Sequence, residues 1–150
     1  MNYLAHARLS FGNEQILVGN MISDFIKGKK KFDYPVMVQN GIMLHRMIDT
    51  FTDAHPVTKV AVHYLKPAAG PYASVFIDVV YDHFLATDKV EFPGKDLEIF
   101  ATETYSTLDK NNVLLPERFS RMLPYMSEQN WLYNYQFEKG IENSFNNIFY

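Results

Sequence analysis

His45, Asp49 and Asp53 stand four residues apart inside GIMLHRMIDTFTDAH (41–55), whose apolar residues Ile42, Leu44, Met47, Ile48 and Phe51 recur at helical spacing. The same interval separates Asn2 from His6, Asn20 from Asp24 and Asp78 from Asp82, and His83 follows the last pair. Side chains at i and i+4 of an α-helix lie about 40° apart around its axis, so each ladder is a stripe pointing one way. Four helices, each carrying such a stripe, can feed one site. Imidazoles and carboxylates together can hold a divalent cation, activate a water and move protons.

The stretch ASVFIDVVYDHFLA (73–86) bears most on this. Val75, Phe76, Ile77, Val79, Val80, Tyr81, Phe84 and Leu85 cover nearly the whole circumference of a helix there, which predicts a central element. Asp78 and Asp82 are then expected to be buried or to line a cavity, where an unpaired carboxylate costs several kcal/mol or takes up a proton. A cation shared with His45, Asp49 and Asp24 would compensate them. The donor set suits manganese, iron or zinc, and magnesium with more carboxylate and water in its shell. The alternative is a buried hydrogen-bond network without an ion. Taken singly, several residues have plainer readings: Asn2 as a helix N-cap, His6 as a satisfied buried histidine, Asp53 as part of a helix end, His55 and His63 as structural or surface residues.

The elements that must position these residues read as helices throughout, near 2–10, 14–28, 36–54, 57–65, 72–87, 95–109, 116–126 and 136–149. Gly12-Asn13, the stretch from Gly28 to Pro35, Pro56, Pro67 to Pro71, Pro93-Gly94 and Pro116 mark the breaks. Gly19 inside a helical pattern points to close helix packing. Alternating strand patterns, repeats and linkers are missing, so the 150 residues predict one all-α, single-domain helical bundle. With no cysteine, thiolate metal sites and cysteine nucleophiles are excluded, and a reducing compartment fits. A net charge of −3 leaves no dominant nucleic-acid footprint, and no long apolar run is present, so the expected location is the cytoplasm. No GxGxxG, P-loop, GxSxG or HExxH motif occurs.

With MNYLAHARLS at 1–10, VGNMISDFIKG at 18–28, GIMLHRMIDTFTDAHP at 41–56, DVVYDHFLA at 78–86 and SEQNWLYNY at 127–135, the chain resembles the acyl carrier protein phosphodiesterase family along almost its whole length. The resemblance implies a helical fold related to the HD-type metal-dependent phosphohydrolases. It also implies an enzyme that removes the 4′-phosphopantetheine arm from holo-acyl carrier protein. Carried over by position, it marks Asp24 as the essential residue, His45, Asp49, Asp78, Asp82 and His83 as the remaining His/Asp positions, and His6 as the N-terminal one. Two departures stand out: relatives continue for several tens of residues past the equivalent of Tyr150, so a C-terminal helical segment is expected to be missing, and 66–74 is short and poor in basic residues.

On this reading a divalent metal, manganese first, polarises the phosphodiester and activates water. Its candidate ligands are His45, Asp49, Asp78, Asp82 and Asp24. Asp24 is either a ligand or the base, and His83 or His6 is the proton donor to the departing serine. Lys27, Lys29, Lys30 and Lys31 form a candidate docking patch for the acidic carrier protein, or else a solvated helix end. Two rivals remain: a metal-dependent phosphohydrolase for nucleotides or small phosphodiesters, and a non-catalytic helical module that binds carrier protein.

Overall fold

The computed structural model describes residues 2–149. Met1, at the head of the first matching block, and Tyr150 lie outside them. The described residues form nine α-helices and no strand. In order they are α1 (Tyr3–Arg8), α2 (Glu14–Ile22), α3 (Val36–Ala54), α4 (Pro56–Ala69), α5 (Ala73–Thr87), α6 (Asp96–Lys110), α7 (Glu117–Glu128), α8 (Trp131–Asn134) and α9 (Glu138–Phe149).

Local chemistry accounts for most boundaries. Asn13 caps α2 by accepting from the Ile16 amide at 3.0 Å. Pro56 opens α4, where its missing N–H removes nothing, and the His55 ring accepts from the Val57 amide. α1 lies against α2 and α5, α5 against α4 and α9, and α6 against α7 and α8. Leu4, Val18, Ile22, Ile42, Val79, Leu108, Phe119 and Leu132 are among the side chains that fill the shared core.

The closest helix pair is α2 with α3. A Cβ on Gly19 would sit 2.0 Å from the Val38 carbonyl oxygen, and one on Gly41 would sit 2.3 Å from that of Ile16. Two facing glycines therefore set the helix separation, in agreement with the packing role expected of Gly19.

Four expectations are corrected. The helix expected over 14–28 stops at Ile22; Ser23–Phe25 and Gly28–Asp33 are 3-10 turns, with the Ser23 hydroxyl donating to the Ile42 carbonyl. The break expected at Pro67 is absent, because α4 carries Pro67 in its last turns and ends at Gly70, where φ is +54°. SEQNWLYNY contributes the short α8, entered through Asn130 in the left-handed region. Finally, α5 is not apolar-buried all round, since Phe84 is 63% exposed and Val75, which lines a cleft, is 42% exposed.

Candidate active site

His6 projects from α1, His45 and Asp49 from α3, and Asp24 from the 3-10 turn after α2. His6 Nε2 lies 3.1 Å from one Asp49 oxygen, and His45 Nε2 lies 3.2 Å from the other. His45 Nε2 is also 3.2 Å from Asp24. The two imidazoles stack face to face, with centroids 3.7 Å apart and planes within 9°. Ligand atoms of His6, His45 and Asp49 all fall within 4.8 Å of one another.

The Gly19–Gly41 approach creates this convergence. It brings the Asn20 carbonyl to 2.6 Å from His45 Nδ1, which donates to it and so aims Nε2 at the carboxylates. Asn20 also binds α1, its amide nitrogen donating to the His6 carbonyl at 2.8 Å and to the Ser10 hydroxyl at 3.1 Å. Among the described residues, His6 Nδ1 and Asn20 Oδ1 are buried without a hydrogen-bond partner.

Charge is concentrated here. Burial disfavours the His45 cation, but the hydrogen bonds its ring donates to Asp24 and Asp49 outweigh it and lift its pKa to about 9. Burial also works against the Asp49 anion, and contacts with His45 and His6 overcome that and hold its carboxyl well below the usual range. Asp24 is lowered mainly by its hydrogen bond to His45. An imidazolium thus sits between two carboxylates, the position a divalent cation would take. A ring tethered through Nδ1, with Nε2 facing oxygen donors, is also the usual state of a metal-binding histidine. The residues fit a divalent ion.

The structure separates the remaining expected site residues. Asp78 lies on the same cleft as Asp24 and Asp49, and burial, then the charges of Asp49 and Asp53, raise its pKa. Asp82 is elsewhere: fully buried, it accepts from the amides of Leu4 at 2.7 Å, Ala5 at 3.2 Å and Asn2 at 3.3 Å. It does the work expected of Asn2, whose own side chain makes no capping bond although Asn2 occupies the N-cap. His83 turns its Nδ1 to the Tyr135 carbonyl at 2.7 Å. His55 and His63 are exposed, in keeping with their reading as structural or surface residues.

The cleft, about 860 Å³, runs from Asp24, Asp49 and Asp78 along α5 to α7, α8 and α9. Trp131, Asn134 and Asn143 line it and were missed in the sequence. SEQNWLYNY stood out only as a matching block, with no spacing that pointed to a site.

The acyl carrier protein phosphodiesterase family model matches residues 1–149. The chain belongs to the acyl carrier protein phosphodiesterase family. It is 33% identical to the acyl carrier protein phosphodiesterase of Photorhabdus laumondii over 137 residues, which cover 90% of this chain and 69% of that protein. The Serratia proteamaculans member is 35% identical over 136 residues, 90% of this chain and 70% of its own length. The Escherichia coli O139:H28 member is 31% identical over 152 residues, 99% and 77%. No solved structure matches the chain. Among the described residues of this family member, no helix is long and apolar enough to cross a membrane.

Proposed function

We propose that the protein is a metal-dependent phosphodiesterase that releases the 4′-phosphopantetheine group from holo-acyl carrier protein, a reading supported by relatives that are named acyl carrier protein phosphodiesterase. The observation that carries this reading is the meeting of His6, His45, Asp49 and Asp24, from three separate segments, at one end of a cleft.

Three carboxylates at that end would repel a phosphodiester anion. A divalent cation removes the conflict, with manganese the leading choice and magnesium, iron or zinc the alternatives; His45, Asp49, Asp24 and His6 are the residues that would hold it. Bound there, it supplies Lewis-acid stabilisation of the charge that develops on the phosphoryl group.

The chain's own residues do the rest. The Asn20 carbonyl fixes the His45 ring, and Asp49 spans both imidazoles, so the two rings and the carboxylate hold one orientation. Asp24, whose side chain is 70% exposed, is open to the cleft and can orient and deprotonate the attacking water. The departing serine oxygen needs a proton. His83 is turned toward the Tyr135 carbonyl and His6 toward Asp49, whereas Asp78 lies on the cleft wall with a raised pKa, so Asp78 takes this role in our reading. Asp82, expected as a ligand, instead holds α1 and thereby His6 in place.

Mass spectrometry of holo-carrier protein after incubation with the manganese-loaded protein tests the reaction. Loss of the complete phosphopantetheine mass with the wild type, and none with Asp24→Ala, is expected. An intact prosthetic group in both samples overturns the proposal.

A further inference from the structure

The catalytic cluster occupies only one end of the cleft, and a phosphodiester alone would leave most of its volume empty. Beyond the aspartates the walls change character. α9 presents Asn143 and Asn147 in one row and Ser144 and Ile148 in the next, at the i, i+4 spacing of a single helix face. Trp131, Met122 and Val75 add apolar surface to the same lining. Asn134 also lines the cleft; its amide nitrogen donates to the Gln129 carbonyl at 2.7 Å, which fixes the orientation of its side-chain oxygen. Apart from Lys139, the lining away from the aspartates is uncharged.

This combination selects a class of ligand. Carboxamide side chains both donate and accept, so they match a chain that itself carries amide N–H and C=O groups. Apolar wall between them matches short methylene segments. A second anionic group would find one lysine and no arginine, while a neutral linear molecule meets its complement along the whole length.

We infer that the cleft beyond the aspartates is the binding site for the neutral, amide-bearing arm of the substrate, with the arm's phosphate end at Asp24, Asp49 and Asp78 and its amides along Asn134, Asn143 and Asn147. The inference rests on the reaction proposed above. Arm recognition then lies on α8 and α9, apart from the helices that hold the cluster, and it gives the enzyme a way to distinguish a pantetheine-bearing serine from any other phosphodiester.

The cleft contains its own probe, because Trp131 is the only tryptophan of the chain and stands on its wall. Pantetheine, which has the arm but no phosphate, is titrated into the wild type and into the double variant Asn143→Leu, Asn147→Leu, with Trp131 emission as readout and circular dichroism to verify the fold. A saturable emission change in the wild type, weakened about tenfold or more in the folded variant, is expected. In parallel, kcat/KM for holo-carrier protein relative to that for bis(p-nitrophenyl) phosphate is expected to fall by a similar factor in the variant, chiefly through KM. An unresponsive Trp131, a response equal in both proteins, or a response to adenosine monophosphate with none to pantetheine overturns the inference. Cleavage of holo-carrier protein without a pantetheine response would sink the arm site alone. A pantetheine response without cleavage would sink the reaction and leave the binding site standing.

Discussion

His45 carries the strongest electrostatic signature of the site. Its folded pKa of about 9 lies above the unfolded value near 6.5, so the stability it contributes is fully present below pH 6.5 and is lost as pH rises through 9. Asp49, depressed, contributes above its ordinary range near 4 and loses that contribution on acidification. Denaturant unfolding of the metal-free protein should therefore show a loss on the order of 3 kcal/mol between about pH 6.5 and 9.5. In Asp49→Asn the fall across the alkaline range should shrink markedly; an unchanged profile would show that the charge resides elsewhere. The same proton must leave when a metal binds, so affinity should rise with pH up to about 9, and calorimetry in buffers of different ionisation enthalpy should detect its release. The pairing of His45 with Asp49 was legible from four-residue spacing on a helix, whereas Asp24 sits on a 3-10 turn instead of the helix expected for it and meets His45 through tertiary packing that spacing does not show. The division between Asp78 and Asp82 was not legible either, because spacing places two carboxylates on one stripe of α5 without saying that the second faces the amides of another helix.

At the scale of elements, two devices hold the cluster together, and each suggests a variant. Asp82 closes the N-terminus of α1, and burial pushes its carboxyl up to about 7 against the pull of three amide donors. In Asp82→Asn, one oxygen becomes an NH₂ group facing backbone N–H donors, so we expect a loss of about 2–4 kcal/mol in unfolding free energy, with weaker metal binding as His6 loses its support. A variant as stable as the wild type would remove the capping role. Gly19→Ala places a methyl 2.0 Å from the Val38 carbonyl oxygen, and its cost should exceed about 3 kcal/mol in thermal or denaturant unfolding, since neither helix can yield without opening the core. Helical class and most helices could be read from apolar periodicity, and Gly19 from its place within one. Breaks set by tertiary contacts could not. The end of α2 follows from the Ser23 bond to the Ile42 carbonyl, α4 continues because Pro67 falls where the helix is already closing, and α8 depends on Tyr105, whose hydroxyl donates to the Asn130 side chain and accepts from the Leu132 amide.

Across the whole molecule, a net charge of −3 conceals a local cationic ridge. Lys27, Lys29 and Lys30 are exposed immediately after the turn that carries Asp24, and Lys31 folds back over the Phe32 ring at 5.1 Å and toward the Met43 sulfur at 3.3 Å. Met43 begins an exposed apolar row on α3 that continues through Met47, 65% exposed, and Phe51, 73% exposed. The ridge and the row are therefore one surface, cationic at one edge and apolar along its length, next to the turn that brings Asp24 to the mouth of the cleft. An acidic carrier protein seated there would have its modified serine close to the cluster and its arm free to enter the cleft. Electrostatic attraction of this kind acts mainly on the association rate and is screened by salt. Charge reversal at Lys27, Lys29 and Lys30 should slow association with holo-carrier protein by about 10- to 100-fold at low ionic strength. In surface plasmon resonance the deficit should narrow steadily as salt is added, because only the wild type has attraction to lose. Docking through the ridge would be refuted by a deficit of constant size at every salt concentration, which is the mark of a misfolded surface.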